Sequence, residues 1–323
     1  MLLINDPLRQ TDLPRGCVAT IGNFDGMHIG HQAIIRGVVT RARELGRPSA
    51  VITFHPHPLS IVAPDRVPPQ ILTLHQKHEL LRDMGVDALV VVPFTHEFSR
   101  WTADRFIADF LVAALQVTDV RIGRDFCFGS GREGNLEKLK AAGEQYGFAV
   151  QGIDEVKIRG IRVSSSIVRD AIRKGTMRTV AAALGRTYFL DGRVATGRRL
   201  GRKIGFPTVN VDPSNELHPG GGVYITTSRF ESFSRSFESV TNVGTRPTLY
   251  ENYATTIESH ILDFDSNVYG DTVRVYFHEL LRREQQFQSA VELTNQIRMD
   301  IERSRRYFLT HPQRYDEAGY SFP

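Results

Sequence analysis

The chain of 323 residues has length for two domains of roughly 150 residues each, and its 41% hydrophobic and 24% charged content, with 27 Gly and 15 Pro, excludes collagen-like, low-complexity and disordered classes. Its 40 Lys and Arg exceed its 36 Asp and Glu by only 4, too small a surplus to argue for duplex binding, so anionic small molecules fit better and no nucleic acid is expected. Cys17 and Cys127 stand far apart without a CxxC or a Cys/His quartet, which argues against a disulfide framework or structural zinc and for a reducing compartment.

The first dozen residues lack a basic region followed by an apolar core, so no signal peptide is expected. The longest apolar stretch, residues 88–93, is far shorter than the ~20 residues of a membrane helix. The expectation is a cytoplasmic protein with no membrane partner.

Residues 17–21 read as a buried strand, 23–26 as a turn, and 31–45 as a helix stopped by Gly46 and Pro48. Ile34, Ile35, Val38, Val39, Ala42 and Leu45 recur there at helical spacing, and residues 50–54 restart a strand, which makes a βαβ unit. Helices over 74–84, 103–115 and 136–146 then alternate with strands at 88–92 and 120–122. A parallel sheet covered by helices on both faces follows, an α/β, Rossmann-like first domain.

After about Leu184 the rhythm changes. Short strand patterns at 192–195, 208–211, 223–226, 256–261 and 273–277 are divided by turn signals at Asp191-Gly192, Pro219-Gly220-Gly221-Gly222 and Gly270-Asp271. They predict a mainly β second domain, a closed antiparallel barrel, with a terminal helix over 289–308. The boundary falls between about 174 and 187, giving domains 1–184 and 185–323.

Two imidazoles three residues apart, His28 and His31, stand where the first strand hands over to the first helix, in Gly22-Asn23-Phe24-Asp25-Gly26-Met27-His28-Ile29-Gly30-His31. Both can face one ligand beside the free amides of a helix N-terminus, an anion site, and Gly30 leaves room for a phosphate or a base. The arrangement resembles the nucleotidyltransferase superfamily, in which such histidines hold the phosphates of ATP during attack on its α-phosphorus. Downstream, Val163-Ser164-Ser165-Ser166-Ile167-Val168-Arg169 supplies hydroxyls and a cation at the opening of a helical pattern, as a departing pyrophosphate needs. A lone histidine is usually a core or surface residue and a serine usually a cap, but the two halves together favour the functional reading. A formal GxGxxG at residues 129–134 carries the bulky Arg132-Glu133 and lies in the fourth or fifth strand–helix unit, so it reads as a mobile substrate loop and not a dinucleotide fingerprint.

In the second half, Gly197, Gly201 and Gly205 recur every four residues with Arg198, Arg199, Arg202 and Lys203 between them, a flexible cationic loop suited to polyphosphate. Thr208 and Asn210 sit two apart and share a face on a strand, and their neutral oxygens suit a Mg²⁺ completed by ATP phosphates and water. A Thr and an Asn satisfying a turn is the alternative. His75 and His78 share a helical face with no third ligand and read as solvated, and Tyr307, Phe308 and Tyr315 read as packing for the terminal helix.

Over nearly its whole length the sequence resembles the bacterial bifunctional riboflavin kinase/FMN adenylyltransferase (FAD synthetase) family. The matching blocks are residues 22–32, 53–58, 122–129 and 162–169 in the first half, and 205–210, 222–224, 242–248 and 258–264 in the second. The resemblance implies phosphorylation of riboflavin to FMN by the second domain and adenylylation of FMN to FAD, with release of pyrophosphate, by the first. ATP is the co-substrate of both, with Mg²⁺. It implies catalytic roles for His28, His31, Ser165 and Arg169, with Glu258 as the base that accepts the ribityl hydroxyl proton. It implies nucleotide contacts from Gly22, Asn23, Phe24, Gly30, Ser164, Ser166, Gly197, Gly201, Lys203, Gly205 and Thr208. Flavin contacts are implied for Pro56, His57, Pro58, Asp125, Phe126, Phe128 and Arg246. The sequence departs from the family at Ser166, which keeps the hydroxyl of the usual Thr, and at Val209 in place of Ala, which need only pack. His55 and Asn135 each remove a negative charge from the first half. The alternatives are a chain that keeps one of the two activities, or a flavin-sensing or RNA-binding regulator on the same scaffold.

Overall fold

The computed structural model describes residues 1–10, 12–196, 204–247 and 253–311. Its contacts divide the chain into two compact units, Met1–Pro69 with Leu74–Ser164, and Gln70–Thr73 with Ser165–Pro323.

The first unit is a six-stranded sheet of β1 (Leu2–Asn5), β2 (Val18–Ile21), β3 (Ser49–His55), β4 (Ala88–Pro93), β5 (Asp119–Gly123) and β6 (Ala149–Ile153), in the order β1-β4-β3-β2-β5-β6. Every pairing is parallel, as expected of strands such as β2, buried at all four positions by an unbroken apolar and β-branched run. Helices α1 (Ile29–Leu45), α2 (Leu59–Val62), α3 (Leu74–Asp83), α4 (Ala103–Arg105) and α5 (Leu136–Tyr146) join the strands, and a short antiparallel hairpin of β7 (Lys157–Ile158) and β8 (Ile161–Arg162) follows β6. Helix α1 buries Ile35, Val38, Val39 and Ala42, and it ends where Gly46 turns left-handed and Arg47 N–H donates to Ala42 O at 2.9 Å. The chain runs outward from β2 through β3 and β4 on one side and through β5 and β6 on the other, so the switch point of the sheet lies at the ends of β2 and β5. Ligand sites of open α/β sheets form there.

The expected helix over 103–115 is wound differently from an α-helix. After α4 the stretch Phe106–Ala114 is π-helical, with Leu115 N–H donating to Phe110 O at 3.0 Å, and it buries Phe106, Ile107, Phe110 and Leu111 in the main core.

The second unit is a closed barrel of β9 (Tyr188–Ala195), β10 (Val209–Pro213), β11 (Gly222–Phe230), β12 (Ser236–Pro247), β13 (Tyr253–Ile261) and β14 (Thr272–Arg282), antiparallel throughout, in the order β10-β13-β12-β11-β14-β9. Part of its interior is polar. Thr226, Ser228, Ser239, Thr241 and Ser259 are all fully buried and hydrogen-bond one another at 2.7 to 3.3 Å. The five bonds close a ring in which every hydroxyl has two partners, which satisfies the group inside the barrel. Helix α8 (Ala290–Thr310) covers the outside, where Tyr307, Phe308 and Ile301 pack on Val223, Ile225, Val240 and Leu281. Tyr315 lies outside the described residues.

The sequence reading draws the domain line after residue 184, where strand clustering begins, and residues 165–184 lie in the second compact unit. Helices α6 (Ser165–Lys174) and α7 (Met177–Leu184) pack with the barrel: Arg283 donates to Lys174 O at 2.6 Å and Arg178 pairs with Glu279 at 2.7 Å. The segment Gln70–Thr73 also belongs to this unit. Ile71 is fully buried and its carbonyl accepts from Asn215 Nδ2 at 3.0 Å, while Asn215 Oδ1 accepts the Asp191 amide of β9 at 3.0 Å.

Candidate functional sites

In the first unit the β2 strand delivers the chain into a tight turn at the switch point. Gly22 N–H still donates to Ile52 O at 3.0 Å, after which Phe24 and Met27 both take left-handed backbone angles, φ 45° and 47°. Such angles are unusual away from glycine and persist only where surroundings enforce them. His28 then caps α1: its Nδ1 accepts the His31 amide at 3.3 Å. That bond uses Nδ1 of the ring as the acceptor that closes the helix end. The His28 and His31 rings stack with centroids 3.6 Å apart, and Phe24 meets His31 edge-on at 5.2 Å. Gly30 serves this stack, because a Cβ there would press on the His28 ring at 3.2 Å. His31 is held well below the ordinary histidine pKa, first by burial, then by His28 and by Lys77. It is a neutral ring.

Beneath the turn lies a residue the sequence reading passed over. Lys77 of α3 is buried, and its Nζ donates to Asn23 O at 2.6 Å and to Thr53 Oγ1 at 3.4 Å. Burial pulls its pKa down to about 8, against the opposing attraction of buried Asp25. The available signal was periodicity: Gln76 and Lys77 occupy the same helical stripe as the buried Leu80 and Leu81.

Asn23 and His57 meet at 3.2 Å, while His57 Nδ1 accepts the Leu59 amide at 3.1 Å. Pro56 is exposed and Pro58 half-buried. Asp125 is exposed and pairs with Arg162, which also holds Glu155 at 2.8 Å, beside an open hollow lined by Arg124, Asp154 and Lys157. Phe126 is half-buried and stacks on Phe128 at 5.9 Å, whereas Phe128 is buried in the core against Phe106. The glycine-rich loop is tied down. Ser130 N–H donates to Trp101 O at 2.8 Å, Glu133 accepts the Ala103 amide at 2.8 Å, and a Cβ on Gly129 would collide with Ala103 N at 2.6 Å. Asn135 caps α5 by accepting the Lys138 amide at 2.9 Å, a role Asn and Asp share, which accounts for one departure from the family pattern. His55, the other, is exposed at the end of β3. His75 is exposed beside Glu79, while His78 Nε2 is buried without a partner and the ring is not simply solvated.

The unit boundary falls inside the second half of the histidine signature: Ser164 ends the first unit, and Ser165, Ser166 and Arg169 open the second on α6. Arg169 lies on the buried face of that helix with Val168, Ala171 and Ile172.

In the barrel, register brings the kinase candidates together. Asn210 of β10 stands directly across from Glu258 of β13, and Glu258 directly across from Asn242 of β12. Opposed residues share a sheet face. Thr208 just precedes β10, in a segment held by His260 Nδ1 donating to Pro207 O at 2.7 Å. Thr208, Asn242, Glu258 and His260 line a cavity of about 320 Å³, and Phe287, Leu293, Ile297 and Ile301 give it an apolar wall. Arg282 and Asp300 close one side as an ion pair at 2.9 Å whose carboxylate is buried, with Gln296 donating to Asp300 at 3.0 Å. Asn242, His260 and the Arg282–Asp300 pair were not singled out from sequence, since strand register is what joins them. Gly205 is left-handed, φ 86°. Gly197, Gly201 and Lys203 lie outside the described residues, as does the side chain of Arg246.

Residues 10–167 match the family model described as FAD synthetase, and residues 184–308 match that of riboflavin kinase. A bifunctional riboflavin kinase/FMN adenylyltransferase of Escherichia coli strain K12 is 38% identical over 298 residues, covering 92% of this chain and 95% of that one. The proteins of that name from Pseudomonas fluorescens and Bacillus subtilis are 38% and 32% identical, each over 90% of this chain and 93% and 92% of their own lengths. A crystal structure described as a macrolide-efflux protein from Streptococcus pneumoniae shares the fold, with a TM-score of 0.85 and 28% identity over 94% of this chain and 98% of that one. Among the described residues no helix is long and apolar enough to cross a membrane.

Proposed function

The chain belongs to the bifunctional riboflavin kinase/FMN adenylyltransferase family, and on that premise we propose how its residues divide the work. It phosphorylates riboflavin to FMN and transfers AMP from ATP to FMN, giving FAD and pyrophosphate. Residues 185–323 carry the kinase and residues 1–184 the adenylyltransferase. The ATP requirement of both steps supports a cytoplasmic location.

For the kinase, the observation that supports the assignment is the register pairing Asn210 with Glu258, with Glu258 and Thr208 lining one cavity. The apolar wall of α8 suits a flat heteroaromatic ring, and the polar end suits a hydroxyl and phosphates. Glu258 takes the proton from the ribityl 5′-hydroxyl as it attacks the γ-phosphorus, since an alcohol is a poor nucleophile without a base. Thr208 and Asn210 offer neutral hard oxygens beside that carboxylate, a donor set that fits Mg²⁺. When bound, the cation would neutralise charge on the transferring phosphoryl group.

For adenylyl transfer, the nucleophile is the FMN phosphate, already anionic, so no protein base is required. His28 and His31 stabilise charge that builds on the α-phosphate. Ser164, Ser165, Ser166 and Arg169 keep the pyrophosphate role the resemblance gives them. Pro56, His57, Pro58, Asp125 and Phe126 are assigned to the flavin. Buried Phe128 supports Phe126. An assay of purified protein with riboflavin, ATP and Mg²⁺ that resolves FMN from FAD tests both halves.

A further inference from the structure

We propose that Lys77 is a positioning residue of the adenylyl-transfer centre, its buried ammonium pinning the Asn23 carbonyl and so fixing the left-handed turn that presents Asn23, His28 and His31. The inference rests on the assignment of His28 and His31 to that reaction.

Lys77 occupies the buried stripe of α3, where Leu80 and Leu81 show what packing alone selects. An ammonium in that place must give up water for few partners, and a buried charge is commonly replaceable by an apolar side chain with no loss of stability. Packing alone would favour Met or Leu at this position. The short bond of Lys77 runs to a backbone carbonyl of the turn, at 2.6 Å, and the same carbonyl accepts from Thr53 Oγ1 at 3.4 Å. Two donors from α3 and β3 thus converge on one atom immediately before the strained Phe24, whose ring braces His31. Asn23 also carries the side chain that meets His57. Holding one carbonyl therefore sets three side chains.

The charged and titratable groups around the ammonium are buried Asp25 of the turn, which attracts it, and His31 of α1, whose protonation it opposes, with His28 stacked beyond. Its lowered pKa, about 8, makes the device sensitive to alkali: loss of the proton removes the attraction to Asp25 and weakens the grip on Asn23. The phosphates of FMN and ATP titrate near ~6 and so do not change charge in that range.

The test compares the full-length wild type, Lys77→Met and His31→Ala, each assayed for FAD formation from supplied FMN and for riboflavin phosphorylation, with kcat/KM for FAD formation followed from pH 6 to 10. The proposal expects Lys77→Met to melt no lower than wild type, to keep the kinase rate, and to lose at least tenfold in FAD formation, mostly in kcat. It also expects an alkaline limb near pH 8 in the wild type that the variant lacks. Wild-type FAD formation by Lys77→Met, or the same alkaline limb in both proteins, overturns it. Should Lys77→Met fail to fold, a wild-type profile flat from pH 7 to 9.5 overturns it equally. Full FAD formation by His31→Ala would instead remove the site assignment on which the inference rests.

Discussion

The rings of His28 and His31 stack 3.6 Å apart while the His31 amide donates to His28 Nδ1, so one histidine both caps α1 and packs against the other. Cap and chemistry can be separated. His28→Asn keeps a side-chain acceptor for the helix end and removes the imidazole, so FAD formation should fall ~100-fold or more with little change in melting temperature. His28→Ala should lose the same activity and also ~1 kcal/mol of stability. Kinase rates measured alongside should be unchanged in both. Equal damage to the two activities would argue against separate sites.

His31 links stability to pH. Its folded pKa lies well below 6.5, so as pH falls through 6.5 the unfolded chain takes up a proton that the folded chain refuses. The stability of the neutral ring is therefore complete above about pH 6.5 and is lost progressively below it. Melts at pH 7.5 and 5.0 should show a larger acid-induced drop for wild type than for His31→Asn. Parallel drops would contradict the burial argument.

In the barrel, Glu258→Gln retains shape but cannot accept a proton, so riboflavin phosphorylation should lose kcat far more than affinity and resist rescue by magnesium. Asn210→Ala, directly opposite, removes a neutral oxygen, and raised Mg²⁺ should restore part of its rate. Steady-state kinetics over a magnesium series distinguish the two. A Glu258→Gln enzyme of normal kinase rate would leave positioning alone as the source of turnover.

The barrel unit should depend on a segment remote in sequence. Ile71→Ala empties a fully buried position and should cost ~2–5 kcal/mol, seen as early thermal inactivation of the kinase. Thr226→Val should cost roughly 1–3 kcal/mol by depriving Ser239 and Thr241 of a partner. A terminal fragment lacking Ile71 should consequently be less stable than the intact chain. Denaturant titrations of the three proteins followed by kinase activity check this, and indistinguishable midpoints would count against it.

The alternation of strand and helix was legible because β2, β3 and β4 are buried on both faces and spell that out in β-branched runs, and α1 repeats apolar residues at helical spacing. Strand β12 was not, since its inward positions include Ser239 and Thr241, hydroxyls that break the apolar alternation yet are buried by bonding one another. Strand β1 escaped notice because Leu2 and Leu3 are exposed and only Ile4 is buried. Within the sites, His28, His31, Thr208 and Asn210 stood out by local spacing. Asn242, His260 and Lys77 did not, because their relevance arises from cross-strand register and from a helix laid under a distant turn. The placement of Gln70–Thr73 with the barrel has no local signal of any kind.

The central claim is that one chain makes FMN at the Glu258 cavity and converts it to FAD at the paired histidines. The most direct measurement follows riboflavin, FMN, FAD and pyrophosphate through a single time course of the purified protein with ATP and Mg²⁺, in wild type and His31→Ala. FMN should appear first and pass into FAD with one pyrophosphate released per FAD, and the variant should stop at FMN. Formation of FAD at the wild-type rate by His31→Ala, or of no FAD by the wild type, would contradict the account.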